Sequence, residues 1–181
     1  MATLKGKLLI ASPALVDPNF ARTVLLIAEH TRDGAMGLVL NRPSGDAVVE
    51  SVEELDGFVA LDDPVYVGGP VQMEAVMVLA EFEEPSRAAA LVVEDVGFLP
   101  ADADLVELSG RTRRAKVFAG HAGWGPGQLD AELEEGSWIV LDPDVDELFS
   151  LPPEELWSAA LRRKGGAYAL LARMPEDPSL N

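Results

Sequence analysis

Cysteine is absent from the 181 residues. Disulfides, thiolate catalysis and cysteine-based zinc or iron–sulfur sites are therefore excluded. Histidine is nearly absent, with only His30 and His121 present. The H-E-x-x-H pattern of zinc hydrolases is missing, as are the G-x-S-x-G elbow and the Walker A loop. The glycine-rich stretch fails G-x-G-x-x-G, because counting from Gly123 the last position is Gln128. No cofactor and no metal ion is expected from these patterns. Long apolar runs are missing too. Leu8–Ala11, after Lys5 and Lys7, is too short for a signal-peptide core, and no run reaches membrane-spanning length. The expectation is a soluble, cytoplasmic protein without membrane contact.

Positive charge is the other scarcity. Fourteen Lys and Arg face 31 Asp and Glu, a formal net charge of −17. From Pro43 to Ser86 there is no Lys or Arg and there are eleven acids; from Val117 to Leu161 there is again no Lys or Arg, with ten acids. Such a field repels phosphate backbones at long range. The one basic run, Arg111, Arg113, Arg114 and Lys116, reads better as a solvated loop entering a strand than as a nucleic-acid contact. Direct nucleic-acid binding is not expected.

What the chain does have is an unusual stretch. Gly120, Gly123, Gly125 and Gly127 alternate with His121, Trp124 and Pro126. A strand-like segment, Lys116–Ala119, precedes them, and a helical one, Gln128–Glu135, follows. Read this way, the glycines form a loop of particular shape around which the fold packs. The helix start offers free N–H groups, but Asp130 and Glu132 in its first turns would repel an anion. Trp124 reads as a packing anchor.

Elsewhere, Thr23–Ala28 and Met36–Leu40 read as a hairpin around Asp33-Gly34. His30 reads as an exposed residue beside that turn. Phe20 reads as an anchor for the loop after Asp17-Pro18-Asn19. Ser44–Asp46 reads as a turn, and Ser51 with Glu54 as a capping box opening a helix toward Phe58. Val65–Val67, Ala75–Ala80, Leu91–Val93, Val96–Phe98 and Trp138–Leu141 read as strands, with a short helix within Pro100–Leu108. Pro152-Pro153 opens a final helix whose stripe is Leu156, Trp157, Ala160 and Leu161. Gly165-Gly166 stops it. Tyr168–Ala172 reads as a further strand and Pro175–Asn181 as a loose tail. Hairpins first and short helices later argue an α+β fold, a single domain over residues 1–181 with a mixed, largely antiparallel sheet.

Five blocks together resemble the AlgH/YqgE family of small bacterial proteins. They are Gly6–Pro13 with Phe20 and Arg22; Gly34–Pro43; Val65–Val71; Gly120–Leu129 with Glu132, Leu133, Gly136 and Trp138; and Leu156-Trp157 with Ala160-Leu161. They span nearly the whole chain. The resemblance implies a sheet curled into a barrel-like body with short helices around it. It carries no catalytic residues. His121 departs from a motif position that is often aromatic. Some members are labelled transcriptional regulators, which this charge fits only if regulation works through a small ligand or protein partner.

The residues to watch as ligand contacts are Asn41, Arg42, Gly68, Gly69, His121, Trp124 and Gln128. For Arg42 the competing reading is a pairing with one of the many acids. The leading expectation is a non-enzymatic protein that binds a small molecule or a protein partner. The first alternative is an enzyme with its site at Gly120–Gln128, which requires those residues to converge on one pocket. The second is DNA binding through Arg111–Lys116. The oligomeric state is not legible.

Overall fold

A computed structural model describes residues 2–175. In chain order the strands are β1 Leu8–Ala11, β2 Val24–Thr31, β3 Gly34–Val39, β4 Pro43–Ala47, β5 Pro64–Val67, β6 Val71–Phe82, β7 Ala90–Val93, β8 Val96–Phe98, β9 Thr112–Trp124 and β10 Trp138–Leu141. The helices are α1 Val48–Ser51, α2 Leu105–Ser109, α3 Gln128–Glu134, α4 Val145–Ser150, α5 Pro153–Lys164 and α6 Ala167–Leu171. The main sheet runs β10-β1-β2-β3-β9-β6-β8-β7, with β5 also on β9 and β4 on β5. Among the described residues only the β5–β9 pair is parallel. This is the mixed, largely antiparallel α+β architecture the sequence suggests.

The sheet curls but does not close. Leu8, Ile10 and Leu26 at one end share a core cluster with Val92 and Val96 at the other. No ladder joins the two ends among the described residues. The barrel-like expectation therefore holds as curvature and not as closure. Helix α5 covers this cluster with Leu156, Trp157, Ala160 and Leu161, as its stripe predicts. On the opposite face of β1–β3, Leu9, Leu25 and Ile27 pack with Trp124, Leu129 and Trp138. Val24–Ala28 is buried throughout, which is why that strand reads as an unbroken apolar run and not as an alternation.

Strand β9 is the axle, and here the sequence reading needs correcting. The expected strand Lys116–Ala119 extends from Thr112 to Trp124 and absorbs most of the expected glycine loop. One edge of β9 pairs β5 through Val117–Ala119, then β3 through Ala122–Trp124. Gly120, with φ +77°, sits at the changeover. A Cβ on Gly69 would lie 2.1 Å from the His121 carbonyl carbon, and one on Gly120 would lie 2.4 Å from the Gly69 carbonyl oxygen. These glycines serve the close crossing of two backbones, which no side chain permits. The hairpin is as expected, but Arg32 and Asp33 form its tip. Gly34 already belongs to β3, where a Cβ would meet the Trp124 carbonyl oxygen at 2.2 Å.

Four further local expectations change. Ser51 ends α1, and a 3₁₀ turn, Glu53–Leu55, follows; neither has a side-chain cap. Buried Val48, donating its N–H to the Asp63 carbonyl, starts the helix instead. Ser44–Asp46 lies within β4, paired irregularly with β5. Tyr168–Ala172 is largely helical, as α6: Gly165 and Gly166, at φ +83° and +58°, reverse the chain, and alanine and leucine favour helix once it packs on α5. His30 is buried, because residues 3–5 fold over it and its Nδ1 accepts the Leu4 N–H at 3.0 Å. The expected tail lies, from residue 176 on, outside the described residues.

Candidate functional site

The loop between β1 and β2 carries Ala21 and Arg22, and the end of β3 leads into Asn41-Arg42. With the start of α5 these segments line a cleft of about 520 Å³. Its walls include Arg22, Asn41, Arg42, Glu154, Trp157 and Ser158.

Arg22, Asn41, Arg42 and Trp157 are each held by an identifiable contact. Arg22 has φ +57°, a conformation that costs a non-glycine residue on the order of 1 kcal/mol or more. Asn41 holds it there. Its Oδ1 accepts the Val24 N–H at 3.0 Å and its Nδ2 donates to the Arg22 carbonyl at 2.9 Å. The asparagine amide thus stands in for one peptide unit of a neighbouring strand. Arg42 donates to the carbonyls of Pro18 (3.2 Å) and Ala21 (2.7 Å), closing the same loop from the other side. The expected pairing of Arg42 with an acid does not occur among the described residues, because the loop carbonyls take its donors.

The Arg22 guanidinium lies over the Trp157 ring, 4.4 Å from its centroid, and donates to the Met174 carbonyl. Trp157 is fixed in turn by donating its Nε1–H to the Ala11 carbonyl at 2.9 Å. Neither Arg22 nor Arg42 has a carboxylate partner among the described residues, whereas Arg87, Arg111, Arg113, Arg114 and Arg163 all do. Two preorganised guanidiniums on one apolar-backed cleft offer spare donors to a planar or tetrahedral oxyanion.

The other watched residues do not join them. Gly68 and Gly69 serve the backbone crossing at Gly120. His121 lies within β9 opposite Val71. Trp124 and Gln128 belong to a third place, centred on Glu132. Oε2 of Glu132 accepts both Trp124 Nε1–H (2.7 Å) and Trp138 Nε1–H (3.0 Å), while Oε1 accepts from Gln128 at 3.3 Å. Gln128 Oε1 accepts the Gly125 N–H at 3.0 Å, tying the turn before α3. The carboxylate expected to repel an anion is instead an internal hydrogen-bond hub.

The basic run is taken up locally. Arg111 meets Glu84, Arg113 meets Asp95, and Arg114 meets Glu81 and Asp146. Lys116 is buried, its Nζ 4.8 Å from the Tyr66 ring centroid and without a hydrogen-bond acceptor among the described residues. Burial pushes its ammonium down to about 8, with Asp63 pulling the other way. Burial and the same Asp63 push the Tyr66 phenol up. No group of three or more His, Asp or Glu side chains suited to a metal ion occurs among the described residues. No helix among them is long and apolar enough to cross a membrane.

Comparison with known proteins places this geometry. The AlgH-like family model matches residues 8–169. The chain belongs to the AlgH-like family. A UPF0301 protein of Chlorobaculum tepidum is 40% identical over 97% of this chain and 95% of its own length. One from Streptomyces coelicolor is 37% identical over 100% and 97%. Among solved structures, a Corynebacterium diphtheriae protein is similar with TM-score 0.86 and 28% identity, covering 95% of this chain and 93% of its own. The AlgH protein of Pseudomonas aeruginosa is similar with TM-score 0.73 and 35% identity, covering 97% of each.

Sequence reasoning found Asn41 and Arg42 but missed Arg22, Trp157 and Lys116 as candidates. Arg22 stood in the first resemblance block, and its place directly before a buried strand was the available signal. Trp157 reads as core from its stripe, and it is buried; its ring face toward Arg22 has no sequence signature. Lys116 was grouped with neighbouring arginines, although strand alternation puts it on the face of Phe118.

Proposed function

We propose that this AlgH-like protein is a binding protein whose ligand is a small anionic molecule seated in the Arg22–Arg42 cleft. The observation that carries the reading is the pair of guanidiniums on one cleft, unneutralised among the described residues in a chain of net charge −17. The ligand's carboxylate or phosphate goes to the arginines and its apolar part to the Trp157 side. Glu154, on the same cleft, takes a donor group of the ligand. The long-range field of the protein opposes anions, but salt at about 0.1 M screens it beyond about 10 Å, whereas the cleft acts at contact distance. Any regulatory role runs through this ligand or a protein partner. The carboxylates facing Arg111, Arg113 and Arg114 support that view over direct DNA contact. An enzyme site at Gly120–Gln128 has weaker support, since His121 stands apart in β9 while the Trp124 and Gln128 side chains both end on Glu132.

Thermal shift with phosphate, pyrophosphate, citrate and nucleotides tests the reading. A ligand at a hundredfold excess over Kd stabilises by about 2.7 kcal/mol. The expected hit vanishes in Arg22→Gly and survives in Gln128→Ala. A hit lost in Gln128→Ala and kept in Arg22→Gly sinks the proposal.

A further inference from the structure

Lys116 sits in the middle of β9, where alternation puts Arg114, Lys116 and Phe118 on one face and Ala115, Val117 and Ala119 on the other. Its paired neighbour on β6 is Leu79, fully buried. A lysine at such a position either snorkels to water or buries its head group. Here the head group is buried: the residue is 6% exposed and its Nζ has no acceptor among the described residues. Leaving an amine in such a place costs stability, and apolar packing gains nothing from it. Lys116 is one wall of a recess of about 70 Å³, lined also by Val59, Asp63, Tyr66 and Phe149 among others. That is room for roughly two waters' volume. Val59, Asp63, Ala115 and Phe149 also line a wider hollow of about 310 Å³, which gives the recess a way in.

We propose that Lys116 is a covalent capture site for a small aldehyde, which it binds as an imine. The deprotonated Nζ attacks the carbonyl carbon, and the C–N bond forms as the C=O π pair moves to oxygen, which takes a proton. The carbinolamine then loses its hydroxyl with a proton as water, leaving C=N and no net redox change. Desolvation supplies the free amine, since the apolar surroundings disfavour the ammonium. Asp63 and the Tyr66 ring face are placed to stabilise the cationic iminium as it forms. The same Asp63 disfavours a carbamate from carbon dioxide, because that product would bury a second anion beside it. The recess volume restricts the partner to an aldehyde of about two to four heavy atoms.

The test is reductive trapping of the full chain with acetaldehyde and cyanoborohydride at pH 7.5, followed by peptide mapping. The chain has four lysines, Lys5, Lys7, Lys116 and Lys164, and mapping separates them from the N-terminal amine. Lys116 should gain its ethyl group at least about tenfold faster than the other three lysines, as a desolvated amine does. Benzaldehyde, too large for the recess, should lower the labelling of Lys116 relative to Lys5, Lys7 and Lys164 by about tenfold compared with acetaldehyde, a ratio that cancels the lower intrinsic reactivity of the aryl aldehyde. Lys116→Met, which removes the buried charge and is checked for a cooperative melting profile, should lose the fast adduct. Labelling of Lys116 no faster than Lys5, Lys7 and Lys164 overturns the assignment. So does the same ratio of Lys116 to the other lysines with both aldehydes, or a fast adduct that persists in the folded Lys116→Met variant.

Discussion

The corner around Glu132 and the cleft around Arg22 are built from the same kinds of residue, and they differ in what is left over. In the corner, both indole N–H groups and the Gln128 amide end on one carboxylate. Both indole donors and one Gln128 N–H have an internal acceptor, so the corner's chemistry is spent on holding α3 to the sheet. In the cleft, two guanidiniums use some of their five donors on backbone carbonyls and face an open space with the rest. A conspicuous motif therefore need not be a site. Unspent hydrogen-bonding capacity in a concavity is the better guide.

The largest expected effect lies where backbones touch. Gly69→Ala places a Cβ on the His121 carbonyl carbon at φ +155°, and it should cost on the order of 4 kcal/mol in denaturant unfolding. A loss below about 1 kcal/mol would mean that the crossing relaxes and that the glycines have another purpose. Next comes Glu132→Ala, which strands two indole donors and should cost about 3 kcal/mol. It should leave ligand binding at the cleft intact, and loss of binding without loss of stability would reverse the roles of corner and cleft.

Lys116→Met should act in the opposite direction. Burial lowers the folded-state ammonium to about 8 from its ordinary 10.5. The folded state therefore binds fewer protons than the unfolded state between those values, and stability rises with pH across that window. Below about 8 the full penalty is present. The substitution should stabilise the protein by about 2 kcal/mol at pH 7, with the gain fading as pH rises toward 10.5. A gain that does not depend on pH would mean that packing and not charge burial is responsible. The smallest effect on stability belongs to Arg22→Gly. Glycine relieves the φ +57° conformation while the Trp157 stack is lost, so chemical unfolding should change by no more than about 1 kcal/mol. Binding at the cleft should nevertheless disappear.

The sequence disclosed the framework better than the site. The β2–β3 hairpin, helix α5 with its stripe and the run of short strands follow from local patterning, and the structure has them. Position was misread where long-range contact overrides local preference. Gly120 and Gly123 look like loop residues until β5 and β3 are seen to crowd β9. His30 looks exposed until the N-terminal residues fold over it. Asn41 and Arg42 stood out because a polar pair following a buried strand is unusual. Their use, bracing a loop that presents Arg22, depends on contacts about twenty residues away that no spacing rule encodes. Strand alternation sets Lys116 beside Phe118, but it sets the partly exposed Arg114 on the same face, so the burial of the amine depends on the packing around it.

The three tryptophans offer the most direct measurement. Trp157 stands at the cleft under Arg22, while Trp124 and Trp138 share Glu132 in the corner. Their three indole N–H resonances can be followed in a nitrogen–proton correlation spectrum while the anion selected by thermal shift is titrated in. The account predicts that the Trp157 indole signal moves to saturation, that Trp124 and Trp138 stay in place, and that Arg22→Gly abolishes the movement. Saturable movement of Trp124 and Trp138 with Trp157 unmoved would put the ligand at the glycine-rich corner and contradict it.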